Sequence, residues 1–191
     1  MNNQDANVQQ TEVAVLAAGC FWGVEEILRD VPGVIDTEVG YTGGWLENPT
    51  YDDTHHSKSG HAEAIRITFD PDVLSYADLL DIFFATHDPT QLNRQGNDVG
   101  TQYRSALFPH DPGQEQAAKR GIERAQADRA EPIVTTIEPR GEWYPAEDYH
   151  QDYWAGEGQQ NSYCLAVIPP KLQKLRKSFQ ARLKSAAPQP S

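Results

Sequence analysis

Only two of the 191 residues are cysteine, Cys20 and Cys164, and they lie far apart in the chain. So few thiols exclude a disulfide-stapled scaffold, and at this length a core of ordinary size forms without metal or disulfide support. In a reducing compartment a bond between the two would be transient and catalytic rather than structural. Also missing is any apolar run long enough to span a bilayer. The first ten residues are polar and lack the basic and apolar regions of a secretory signal, so a soluble cytoplasmic protein is expected. No glycine-rich phosphate loop, serine nucleophile elbow or dinucleotide fingerprint occurs, and there are no internal repeats or low-complexity blocks.

Cations are scarce, 16 Lys and Arg against 28 Asp and Glu, for a net charge of −12. Six of them (Lys171, Lys174, Arg176, Lys177, Arg182 and Lys184) share one acid-free stretch near the C-terminus, which leaves 10 cations against all 28 acids elsewhere. Such a body repels phosphate, which argues against nucleic acid as a partner. The basic stretch reads as a solvated helix.

The chain is organised around Gly19-Cys20-Phe21-Trp22-Gly23-Val24-Glu25-Glu26. An apolar run precedes it and a helical pattern follows, which predicts a strand at 12–18, a glycine turn and a helix at 20–30 stopped by Pro32-Gly33. A thiol in the first turn of a helix meets unpaired N–H groups and the positive end of the dipole, an arrangement that favours the thiolate. Phe21 and Trp22 supply aromatic walls for a small apolar pocket over the sulfur.

Further along, residues 34–41 read as a strand and 42–60 as a long irregular loop of the kind that often carries function. In Ala62–Phe69 the strict alternation places Glu63 on the same face as Ile65, Ile67 and Phe69, where desolvation would raise its pKa. A helix begins near Ser75, with Leu79, Leu80, Phe83, Phe84 and His87 at helical spacing. A polar loop at 91–101, a strand at 102–108, a helix at 112–130 and a strand at 133–137 come next. An aromatic-rich irregular stretch at 143–154 then leads to Cys164, on a segment flanked by Pro and Gly that is expected to be mobile. The order β-α-β, loop, β-α-β-α-β predicts an α+β two-layer sandwich with a ferredoxin-like (split βαβ) core, long irregular loops and a C-terminal extension. Residues 1–10 are expected to be disordered, 11–170 to form one catalytic domain, and 171–191 to be a basic helix and tail.

The constellation with the strongest chemical case is Cys20 as nucleophile, Glu63 as proton donor and Cys164 as second thiol. A thiolate attacks an electrophilic heteroatom when a nearby acid protonates the departing oxygen, and a second thiol resolves the sulfenic acid as a disulfide. A disulfide that signals rather than turns over is the alternative from another class. His55, His56, His61 and Glu63 could be read as a metal site, but their spacing matches no common zinc pattern. His87 and His150 read as partners in polar networks, and Tyr41, Tyr51, Tyr103 and Tyr149 one by one as packing residues.

Taken together, Gly19-Cys20-Phe21-Trp22-Gly23, Gly60-His61-Ala62-Glu63, His87-Asp88-Pro89-Thr90, the stretch 93–105 from Asn93-Arg94-Gln95-Gly96-Asn97-Asp98 to Ser105, and Ala146-Glu147-Asp148-Tyr149-His150-Gln151 closely resemble the A-type peptide-methionine sulfoxide reductases. The resemblance spans about residues 12–170. It implies reduction of the S epimer of methionine sulfoxide, protein-bound and free, without cofactor or metal. Cys20 would attack the sulfur, Glu63 would serve the oxygen with help from Tyr51 and Tyr103, Phe21 and Trp22 would bind the S-methyl group, and Asp98 would help fix the pocket. Cys164, preceded by Tyr163, falls where the family places its first resolving cysteine, and thioredoxin would reduce the resulting disulfide. A monomer is expected, with no membrane and no nucleic acid among its partners. The chain departs from the family in having no cysteine after Cys164, which implies a single relay to thioredoxin, and in Phe83-Phe84-Ala85-Thr86 before His87, where relatives often show Phe-Trp.

Overall fold

The computed structural model describes residues 10–166 and, beyond them, 168–170, 172, 173 and 177. Gln10 is thus the only described residue of the expected disordered start, and most of the expected basic helix lies outside the described residues.

A continuous apolar run builds β1 (Glu12–Ala18), and Gly19 turns the chain into α1 (Phe21–Arg29). Gly19 has φ +92°, and a Cβ there would meet the side chain of Gln95 at 2.8 Å, so both backbone conformation and space call for glycine. β2 (Val34–Thr42) follows, then α2 (Tyr51–His55) and β3 (Ala62–Phe69). The short α2 interrupts the stretch expected to be an irregular loop. It forms without apolar periodicity because Thr50 and Asp53 make a reciprocal capping box at its start.

α3 (Tyr76–Thr86) begins at Ser75, whose hydroxyl accepts the backbone N–H of Asp78. The loop after it folds back as a two-residue-per-strand hairpin, β4 (Arg94–Gln95) and β5 (Asp98–Val99). The strand expected at 102–108 is shorter than that. Thr101–Tyr103 is a 3₁₀ turn, and only β6 (Ser105–Leu107) joins the sheet. α4 (Pro112–Ala127) is capped by Asp111 with proline in its first turn. The strand expected at 133–137 is reduced to β7 (Thr136–Ile137), because Ile133 and Val134 give their N–H groups to Gln126 Oε1 and the Pro89 carbonyl, outside the sheet. β8 (Tyr144–Pro145) is the last strand among the described residues.

The sheet runs in the order β7-β6-β1-β3-β2-β8, parallel only between β6 and β7. The architecture is therefore a mixed α/β fold with a central mixed sheet. Ala14, Leu16, Ile65, Ile67 and Phe69 on one sheet face pack against Val24, Ile27 and Leu28 of α1 and Leu79, Leu80 and Phe83 of α3. The opposite face carries smaller residues, Val15, Ala17, Ala62, Ala64 and Ala106 with Phe108, beside Trp143 from the irregular chain. Because β1 and β3 are antiparallel, the end of β1 arrives beside the start of β3. That crossing brings Cys20, two residues past β1, to Glu63, the second residue of β3. No helix among the described residues is long and apolar enough to cross a membrane.

Candidate active site

A cavity of about 170 Å³ is lined by Cys20, Trp22, Tyr51, His55, Glu63, Asp98, Tyr103 and Tyr163. Each wall comes from a different element. Cys20 is the residue that caps α1, α2 presents Tyr51 and His55, β3 presents Glu63, β5 presents Asp98 and the 3₁₀ turn presents Tyr103. Of the sequence-derived candidates, Cys20, Trp22, Tyr51, Glu63, Asp98 and Tyr103 are therefore brought together. Phe21 and Cys164 lie outside the lining.

Glu63 is 2% exposed. Its Oε1 accepts the backbone N–H of Phe21 at 3.3 Å, at the start of α1. Burial is the dominant influence and pushes its pKa up to about 8, the Phe21 N–H opposing and the charge of Asp98 reinforcing. The carboxyl is consequently a protonated acid at neutral pH, as its place on the apolar face of β3 foretold.

For Cys20 the outcome reverses the sequence expectation. Burial raises the thiol well above its ordinary value, the charge of Glu63 raises it further, and the backbone N–H of Trp22 only partly opposes them. Asp98 and Cys164 add smaller upward contributions. The helix start acts in the expected direction, but desolvation is the larger effect. Since Glu63 is neutral below about pH 8, its repulsion disappears at neutral pH and burial remains.

The phenols of Tyr51 and Tyr103 are raised by burial and then by the charge of Glu63, so both stay protonated and able to donate. The Tyr163 hydroxyl donates to Asp98 Oδ2. Phe21 turns away from the cavity into a cluster with Val39, Tyr41 and Ala146, behind Trp22. The Trp22 ring stacks on Tyr153 at 4.1 Å and its Nε1–H donates to His150 Nδ1 at 2.9 Å. That bond makes Nδ1 the acceptor, so the neutral imidazole carries its proton on Nε2, 3.3 Å from the Glu147 carboxylate. Glu147 accepts from the Tyr51 backbone N–H and the Tyr41 hydroxyl.

Sequence reasoning weighed His55 only as a metal ligand and did not give Tyr163, Glu147 or Tyr153 a role in the site. The signal available for the last two was the density of aromatic and acidic residues at 143–154. His150 does enter a polar network, as expected.

The histidines read as a possible metal cluster are dispersed. His61 engages both ring nitrogens with backbone, taking the Gly44 N–H on Nδ1 and lying 2.8 Å from the Leu46 carbonyl on Nε2. His56 pairs with Asp52 on the surface. Cys164, expected on a mobile segment, is instead fully buried in a helical turn at 162–166, its backbone N–H bonded to Asn161 Oδ1 at 3.2 Å. Both cysteines are free thiols.

An acid that stays protonated at neutral pH, a thiol and phenolic donors facing one small cavity can protonate an oxygen while sulfur attacks its neighbour. Comparison with known proteins points the same way. The profile of the peptide methionine sulfoxide reductase family matches residues 12–183. The peptide methionine sulfoxide reductase MsrA of Erwinia tasmaniensis is 64% identical over 171 residues, covering 90% of this chain and 96% of that one. That of Deinococcus radiodurans is 53% identical, covering 91% of this chain and 84% of its own. Among solved structures, Mxr1 from Saccharomyces cerevisiae in reduced form matches with a TM-score of 0.77 at 34% identity, over 83% of this chain and 91% of that one. Mxr1 in complex with Trx2 matches with a TM-score of 0.55 at 28% identity, over 77% and 87%.

Proposed function

The chain belongs to the peptide methionine sulfoxide reductase family and is an oxidoreductase of methionine sulfoxide, and from that premise we propose how its residues carry out the reaction. The observation that carries the reading is Cys20 sharing a cavity of about 170 Å³ with an acid whose pKa is near 8. The sulfoxide oxygen sits among the hydroxyls of Glu63, Tyr51 and Tyr103, and the S-methyl group lies against Trp22, with Phe21 supporting that wall from behind. Asp98, tied to Tyr163, holds the far side of the pocket. We assign the substrate to the S epimer, the configuration that the family resemblance implies.

Cys20 attacks the sulfur as Glu63 passes its proton to the oxygen, and the thiol proton replaces the one Glu63 has lost. Oxygen transfer to the Cys20 sulfur leaves methionine and a sulfenic acid. The sulfoxide is reduced by two electrons and the thiol oxidised by two. Cys164 then attacks the sulfenic sulfur, water departs, and a Cys20–Cys164 disulfide forms, which thioredoxin reduces. Support for the last step is the Mxr1–Trx2 structure, which concerns a relative 28% identical to this chain. Oxidised proteins and free methionine sulfoxide are the substrates in this reading. The succession β1-α1-β2-β3-α3-β6, with sheet order β6-β1-β3-β2, supports describing the core as a split βαβ, ferredoxin-like unit.

The test is incubation with separated S and R epimers of a methionine sulfoxide peptide, followed by mapping of the cysteines by mass spectrometry. Consumption of the S epimer alone with accumulation of a Cys20–Cys164 disulfide is expected. Consumption of R, or loss of substrate with both thiols intact, would overturn the scheme.

A further inference from the structure

Residues 147–164 run as a strap around the first turns of α1, and Gln151 and Glu25 are among the side chains that fasten it to the body. Gln151 acts like an extra strand residue, accepting from the Val39 N–H at 2.9 Å and donating to the Val39 carbonyl at 2.9 Å and the Ala146 carbonyl at 3.1 Å. One residue on, the Asp152 N–H donates to Oε1 of Glu25 at 2.6 Å, and the other Glu25 oxygen accepts the Thr37 hydroxyl at 3.1 Å. Glu25 is 2% exposed and lies on α1 five residues after Cys20. Asp152 has φ +52°, a left-handed conformation that costs a non-glycine residue energy and persists only where its surroundings enforce it. Its carboxylate is held in turn by Arg29 at 2.5 Å.

From Asp152 the bonds lead to the second thiol. The adjacent Tyr153 stacks on Trp22, and its hydroxyl accepts from Asn161 Nδ2 at 3.2 Å. Asn161 Oδ1 takes the N–H groups of Tyr163 at 2.9 Å and Cys164 at 3.2 Å, capping the turn that carries the thiol. Backbone bonds between 153 and 161 stay within the strap, so among the described residues the two bonds at Asp152, its N–H donating to Glu25 and its carboxylate accepting from Arg29, are the last hydrogen bonds tying it to the body before Tyr163 reaches Asp98.

We propose that Glu25 is a positioning residue for Cys164, its clamp on Asp152 setting where the turn bearing the second thiol sits relative to Cys20. The clamp thereby governs formation of the disulfide and leaves the first oxygen transfer alone. Upstream, Gln151 anchors the strap beside His150 through Val39 and Ala146, so the hydrogen bond from Trp22 to His150 does not depend on the clamp. This rests on the reading of Cys164 as the resolving thiol.

The experiment mixes reduced full-length protein with the S-epimer peptide without reductant, following methionine release for the first step and quenched, mass-mapped disulfide for the second. Glu25→Ala should release its first methionine within about twofold of the wild-type rate while forming the disulfide roughly tenfold or more slowly, the scale of one lost hydrogen bond to a charged group. A cyclic 1,3-diketone should then trap the persisting sulfenic acid. Glu25→Gln, which keeps an acceptor for Asp152, should restore the second step. Equal slowing of both steps, or disulfide formation at the wild-type rate, would overturn the proposal. If Glu25→Ala does not fold, Asn161→Ala cuts the same chain downstream and must show the same selective loss, failing which the proposal falls. Wild-type protein that forms no disulfide at all would remove Cys164 from the mechanism, and the clamp's role with it.

Discussion

Glu63 accepts the backbone N–H of Phe21 at 3.3 Å, which pins a buried carboxyl beneath the first turn of α1, one residue from Cys20. The bond orients the acid without ionising it, because desolvation outweighs the one N–H and leaves the pKa near 8. Glu63→Gln retains an acceptor for Phe21 and removes the transferable proton. The first-turnover rate should fall by roughly 10²- to 10⁴-fold, the scale of a general acid. A rate near normal would move the proton donor to Tyr51 or Tyr103.

The same pKa sets the alkaline limb. Glu63 must be protonated to act, so the wild-type reductase step should decline as pH rises through about 8. Single-turnover rates between pH 6 and 10 would show it. In Glu63→Gln that inflection should vanish, and an unchanged limb would assign it to another group.

Stability should follow pH in the matching direction. Folded Glu63 keeps its proton up to about pH 8, whereas in the unfolded chain it ionises near 4.5, so between those values the native state binds more protons. Stability therefore falls as pH rises across that window, by up to about 1.4 kcal/mol per pH unit for one group, and levels off above it. Glu25, raised by burial to about 7, adds a like contribution between 4.5 and 7. Urea unfolding from pH 4.5 to 8.5 should give a shallower slope for Glu63→Gln than for wild type.

Cys164→Ser tests the relay separately from the acid. One methionine per enzyme should still form, with a sulfenic acid left on Cys20 and no cycling by thioredoxin. Full cycling in this variant would exclude Cys164. Since the wild-type thiol is completely buried, the disulfide also requires local rearrangement of the turn at 162–166, which hydrogen exchange in oxidised and reduced protein would register.

How far these features could be read beforehand depended on whether the deciding interaction was local. The period of two in Ala62–Phe69 displayed the burial of Glu63, and Gly19-Cys20 displayed a strand-to-helix turn. The height of the Cys20 pKa was not readable, because it depends on Glu63, which lies 43 residues away, and on depth of burial. Tyr103 was read into the strand at 102–108. Gln102 beside it binds the His55 carbonyl and the Ser57 hydroxyl instead, which ties that stretch to the α2 region and winds it into a turn. Thr50 and Asp53, at capping-box spacing, were the available sign of α2. Tyr163 and His150 enter the site through partners 65 and 128 residues away, and no local pattern announces such pairings.

Trp22 offers the sharpest test of the pocket's selectivity. Its indole is fixed on two sides, stacked on Tyr153 and hydrogen-bonded to His150, so it presents a rigid wall to the cavity. A methyl group against that wall is held equally before and during the attack, so the contact contributes to binding more than to the chemical step. Trp22→Ala should therefore raise KM by roughly 10- to 200-fold, the range for an apolar contact of this size, and lower the single-turnover rate far less. The preference between epimers should shrink as well, because without the wall the methyl and the peptide chain can exchange places. A variant that kept its KM and its epimer preference while losing rate would show that Trp22 serves the sulfur chemistry itself.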